Sequence, residues 1–156
     1  MTAHGRGKRA SASADLYQKA DGVVAHHTTQ WAGVIVQGAT RTNRIRNVTV
    51  RNTIVHDVFG DGIVLFQVEN GLVEKSAAWL TGLQPVQTIG TPNGIWTWRC
   101  RNCIVQLTEG FFIDSPGVDG GVYDIDWLVT PAFTRLLDNL AASPLAFRGV
   151  RCFGAL

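Results

Sequence analysis

Short runs of β-branched and aromatic residues, each headed by Gly or Asn, recur along this chain and restrict its fold more than any other feature. They are Gly33-Val-Ile-Val-Gln, Asn47-Val-Thr-Val-Arg-Asn-Thr-Ile-Val, Gly62-Ile-Val-Leu-Phe, Asn70-Gly-Leu-Val-Glu, Gly94-Ile-Trp-Thr-Trp, Asn102-Cys-Ile-Val-Gln and Gly121-Val-Tyr-Asp-Ile-Asp. Runs this short between Gly, Asn and Asp are strands joined by tight turns. The Gly-headed strands start at 33, 62, 94 and 121, in steps of 29, 32 and 27, and Gly62–Asn70 and Gly94–Asn102 are both 8 apart. Such a period, built from strands with no helical segment between them, predicts a solenoid. The regular Leu spacing of leucine-rich repeats is absent, and hairpin signals are weak. The pattern therefore predicts an all-β fold, a right-handed parallel β-helix of about three to four coils with three short strands per turn. The strands should be parallel, with Ile, Val and Leu inward, and Asn47, Asn70 and Asn102 should open a second sheet.

Asn47 to Gln67, Asn93 to Gln106 and, above all, Ser115-Pro-Gly-Val-Asp-Gly-Gly-Val-Tyr-Asp-Ile-Asp-Trp127 resemble the right-handed parallel β-helix repeat proteins of the pectate-lyase-like superfamily. The resemblance covers roughly Gly33 to Trp127. It implies a secreted protein that acts on or binds polysaccharide, and it extends to lyases, hydrolases and non-enzymatic spikes, because one fold hosts many reactions. The lyase and polygalacturonase signatures Gly-His-Gly, Arg-Ile-Lys and Asn-Thr-Asp are missing.

Both ends depart from the pattern. Residues 1–22 read as a flexible lead-in carrying Arg6, Lys8 and Arg9, with a short helix near Ala14 to Ala20. Residues 23–130 hold the repeats. After Trp127 the period stops. Pro131-Ala-Phe-Thr-Arg-Leu-Leu-Asp-Asn-Leu-Ala-Ala reads as a short helix, so 131–156 is expected to be an aperiodic tail that caps the open solenoid end. A shift of reading frame after Leu128 is a second explanation, which would make the chain a truncated member. An uncovered last coil would invite self-association.

Composition narrows the partners. The chain has 156 residues, a net charge of +2 and 17% charged residues, which suits one folded domain and gives no basis for nucleic-acid binding. No run of 18 apolar residues suggests a membrane span, and no apolar segment of a secretory signal follows the basic start. Three cysteines, Cys100, Cys103 and Cys152, make no disulfide framework; Cys100 and Cys103 read as small core or turn residues.

The acidic residues are the first candidates for chemistry. Glu109, Asp114, Asp119, Asp124 and Asp126 lie together in sequence, and no Lys or Arg occurs from 102 to 134. Crowded carboxylates shift one another's pKa and attract hard cations. Asp119, Asp124 and Asp126 are the expected catalytic residues. The resemblance implies Ca²⁺, which Asp124 and Asp126 would hold. A glycosidase would instead use two of the carboxylates directly. Asp124 and Asp126 share a strand face. Aligning Gly121-Val122 with Gly62-Ile63 and Gly94-Ile95 puts Asp124 on the side of Ile63 and Ile95, whereas a bulge at Gly120-Gly121 turns both carboxylates the other way. If the side of Ile63 and Ile95 is inward, Phe66, Trp96, Trp98 and Tyr123 on the opposite side form an outer row suited to sugar rings. Arg99 and Arg101 flank it. Trp79 and Trp127 read as packing residues, His56-Asp57 as a weak base candidate, and His26-His27 as too few ligands for zinc. Asn47, Asn52, Asn70 and Asn102 read as turn residues whose amides bond from coil to coil.

The reading is a polysaccharide-acting β-helix protein of lyase or hydrolase type. The alternatives are a non-catalytic module that binds glycan or supports an assembly, and an inactive fragment of a larger secreted β-helix protein.

Overall fold

The computed structural model describes residues 2–4, 8–10, 18–29, 31–40, 42–83, 92–114, 121–126, 134–137, 140–142 and 150–152. Within them the chain is all-β, and every strand pair is parallel. Strands β1 (Thr2–His4), β2 (Lys8–Ala10) and β3 (Gln18–Asp21) come first. One turn follows as β4 (Val24–Thr28), β5 (Ala32–Gln37) and β6 (Ile45–Arg51), and the next as β7 (Ile54–Val58), β8 (Asp61–Phe66) and β9 (Val68–Glu74). A third comprises β10 (Ala77–Thr81), β11 (Ile95–Trp98) and β12 (Cys103–Gln106). Then come β13 (Glu109–Ile113), β14 (Tyr123–Asp126), β15 (Thr134–Leu137), β16 (Leu140–Ala142) and β17 (Val150–Cys152). They stack into three sheets, β1-β4-β7-β10-β13-β16, β2-β5-β8-β11-β14-β17 and β3-β6-β9-β12-β15. The fold is a parallel β-solenoid with three strands per turn, as the repeat predicts, with a third sheet beyond the two that the Gly and Asn heads mark.

The core runs down the middle of the three sheets. Val34, Ile63, Ile95 and Tyr123 form one inward column, and Val50, Val73 and Val105 another; all seven are buried. The glycine column Gly33–Gly62–Gly94 is a space requirement. A Cβ on Gly62 would lie 2.3 Å from the Gly94 carbonyl oxygen and 2.8 Å from the Ala78 Cβ.

Each coil turns its corners with left-handed residues stacked in register. Asn47, Asn70 and Asn102 have φ of 55°, 55° and 51°. Their amides form a ladder, in which Asn102 Nδ2 donates to Asn70 Oδ1 at 2.8 Å and Asn70 Nδ2 to Asn47 Oδ1 at 3.3 Å. The expected coil-to-coil bonding holds for these three. Asn52 takes a different corner, above Lys75 and Leu107, and its Nδ2 donates to Asp21 Oδ1 at 2.9 Å. His27, Asp57, Leu80 and Phe112 form another left-handed column inside the first sheet, at 52°, 52°, 49° and 52°.

One expectation about the ends is corrected. The helix anticipated over 131–142 is not present among the described residues there. Thr134–Leu137 and Leu140–Ala142 are strands, paired in parallel with β12 and β13. The helical spacing of Leu136, Leu137 and Leu140 loses to the open edges of those strands, whose backbone groups need partners. At the other end, Thr2–His4, Lys8–Ala10 and Gln18–Asp21 pair with β4, β5 and β6, so the described part of the expected lead-in carries on the stacking.

Candidate functional site

The outer face of the second sheet gathers most of the expected residues. Register pairs Ile63 with Ile95 and Ile95 with Tyr123, one residue later than the alignment through Gly121. Val122 therefore falls in the glycine column and Tyr123 in the core, since a one-residue slip moves every side chain to the other face. Tyr123 is 1% exposed. Its hydroxyl donates to the Thr108 carbonyl at 2.9 Å and accepts from Thr108 Oγ1 at 3.1 Å. Burial pushes its phenol up to about 12. It is not brought to the surface where a sugar-stacking residue was expected.

The same slip puts Asp124 in the outward column, beside Trp96, with Val64 and Ile35 one and two coils further along. That face is not open water. Ala32, Ile35 and Val64 form a second apolar cluster, with Trp31, Phe66 and Trp96 packed against it. Asp124 is 2% exposed. Asp126 pairs along the backbone with Trp98. Asp119, the third expected catalytic residue, lies outside the described residues.

The structure adds Asp61, which was not among the expected site residues. Asp61 heads β8 and is 6% exposed. Its Oδ1 accepts the Asn93 backbone N–H at 2.7 Å; in turn, Asn93 Oδ1 accepts the Gly121 N–H at 2.9 Å. This polar ladder crosses from β8 to the start of β14. Burial raises the Asp61 carboxyl to about 7, and the nearby charge of Asp124 pushes the same way, against the lowering effect of the Asn93 bonds. One signal was available. Asp61 and Asn93 both precede a column glycine, so two successive coils carry a polar residue at the same place.

Trp98 stacks on Phe66 at 4.4 Å and on Trp96 at 5.1 Å, and the Arg99 guanidinium lies 4.9 Å from its centroid. Its faces are thus taken by protein. The indole Nε1 atoms of Trp96 and Trp98 are buried and have no hydrogen-bond partner among the described residues.

A second aromatic column runs along the outside of the first sheet. His26 stacks on His56 at 5.2 Å, His56 on Trp79 at 4.9 Å and Trp79 on Phe111 at 5.3 Å, with interplanar angles of 6° or less. His56 Nδ1 meets Asp57 Oδ2 at 2.5 Å. The expected packing role of Trp79 is met in this form, each ring covering its neighbour. Among the described residues no group of three or more His, Cys, Asp or Glu is placed to hold a metal ion.

No family model matches the chain, and comparison with curated proteins and with solved structures finds no match.

Proposed function

We propose that the outer face of the second sheet acts on polysaccharide by glycoside-hydrolase chemistry, with Asp61 as general acid and Asp124 as its carboxylate partner. One observation carries the reading. Asp61 is buried, bonded to Asn93 and raised to about 7, within electrostatic reach of a second buried carboxylate. A carboxyl that stays protonated near neutral pH can give its proton to a glycosidic oxygen. A second that stays ionised can attack the sugar carbon or activate water. The indole N–H groups of Trp96 and Trp98 supply unspent donors for sugar hydroxyls. The motifs that resemble the pectate-lyase-like superfamily lend the reading a fold precedent. Asp119 and Asp126 remain candidates in the same stretch of chain, and Ca²⁺ at Asp124 and Asp126 belongs to the lyase form of the proposal.

Both carboxylates are buried, so this reading requires the residues over them to move when substrate binds. That burial favours a second reading, a module that binds glycan without cleaving it. The test is a panel of neutral and acidic polysaccharides, with and without Ca²⁺, using the parent chain, Asp61→Asn and Asp124→Asn. New reducing ends are expected, without unsaturated products, failing above about pH 7 and lost in Asp61→Asn. Unsaturated products that require Ca²⁺ would replace this mechanism with the lyase one. Glycan binding without any product, equal in parent and Asp61→Asn, would leave the binding module.

A further inference from the structure

The corner between the second and third sheets holds two buried thiols that the proposed chemistry does not use. Cys100 follows β11, Cys103 opens β12, and Asn102 between them has φ 51°. The two are 1% and 0% exposed, and both are free thiols. The pairings Glu69–Arg101 and Leu72–Ile104 place them above Val68 and Gly71 of the preceding coil.

That preceding coil reveals the reach of the corner. A Cβ on Gly71 would lie 3.0 Å from Val68 Cγ1 and 2.8 Å from Cys103 Sγ. With one C–C bond of about 1.5 Å between Cγ1 and Cβ, the Cβ atoms of positions i and i+3 at this corner come within about 4.5 Å, inside the span a disulfide needs. The Asn ladder repeats the same left-handed turn at Cys100 and Cys103. Each thiol, a weak donor, meets backbone carbonyls, Cys100 those of Leu65 at 3.2 Å and Trp98 at 3.6 Å, Cys103 those of Arg101 at 3.6 Å and Val68 at 3.9 Å. Forming a bond would forfeit little.

We propose that Cys100 and Cys103 form a disulfide when the chain meets a disulfide oxidant, closing the Asn102 corner covalently. With oxidised glutathione, one cysteine thiolate attacks a glutathione sulfur and expels a glutathione thiolate. The other then attacks the mixed disulfide and expels the second. Two protein thiols become one disulfide, and two glutathione thiols are released. Both thiols are closed off from a disulfide reagent, so exchange in the closed fold is slow, and the bond forms during folding or when the corner opens. It would hold the segment that carries Arg99 and Trp98. The inference stands independently of the hydrolase reading.

The test uses the full chain with Cys152→Ser, refolded in a glutathione redox buffer. The expected product has lost about 2 Da relative to the reduced chain. After trypsin, the dipeptide Cys100-Arg101 should be disulfide-linked to the peptide running from Asn102 to Arg135. The same digest on native protein held with oxidised glutathione in sub-denaturing urea makes the answer independent of refolding yield. Two free thiols in both preparations, or glutathione remaining on either cysteine without a link between them, would overturn the proposal.

Discussion

Replacing Asp61 with Asn should stabilise the chain at high pH and change it little at low pH. The carboxyl stands at about 7 in the fold against an ordinary 3.8. A folded pKa above the unfolded one means that the folded state holds its proton more tightly. Its contribution is therefore complete below about pH 4, falls as the unfolded chain ionises, and is gone above about pH 7. A shift of about three units at about 1.4 kcal/mol each amounts to about 4 kcal/mol. Asp61 is fully buried, so solvent screening takes little from this. Asn cannot ionise and keeps the Oδ1 acceptor for the Asn93 N–H. The gap between Asp61→Asn and parent should thus widen by up to about 4 kcal/mol between about pH 4 and pH 8. For a chain of this size that is roughly 8–16 °C in melting temperature. Paired thermal melts across that range read it directly, since groups that do not interact with position 61 cancel between the two proteins. A gap that stays constant with pH would refute the reasoning.

Other outcomes follow from the stacking. Gly62→Ala forces a Cβ to within 2.3 Å of the Gly94 carbonyl; it should cost about 1–3 kcal/mol in urea unfolding, and parent-like stability would speak against the close glycine column. Asn70→Ala loses both ladder bonds and puts Ala at φ 55°. It should be less stable than Asn70→Gly by about 1 kcal/mol, since only the strain differs; equal melting would remove the strain argument. Tyr123→Phe leaves the buried Thr108 carbonyl without its phenol donor and should cost about 1–3 kcal/mol by urea titration. No loss would mean that the hydroxyl is not buried as described.

The sequence revealed the solenoid where stacking admits few residue types. Gly33, Gly62 and Gly94 sit where no Cβ fits, and Asn47, Asn70 and Asn102 where φ is positive and an amide finds the next amide. The other left-handed positions were invisible. Gln67, Lys75, Leu80, Arg99, Leu107 and Phe112 also take positive φ, and none of them is a turn signal, because the coil below imposes the conformation. The site was half legible. Asp124 and Trp96 do adjoin, but the doubled Gly120-Gly121 hid a one-residue slip, and that slip decided that Tyr123 faces inward and Asp124 outward. Asp61 was hidden by its setting, since Gly60-Asp61-Gly62 reads as a turn in any sequence. The packing of Trp31, Phe66 and Trp96 against Ala32, Ile35 and Val64 depends on contacts across coils that no local pattern records.

The account rests on Asp61 being an acid poised near neutrality by burial and by Asp124. An isotope-edited carboxyl titration of Asp61, in the parent and in Asp124→Asn, measures this without substrate. The predicted result is a midpoint at about 7 that moves down once the Asp124 charge is removed. A midpoint near the ordinary 3.8, unmoved by Asp124→Asn, would contradict it.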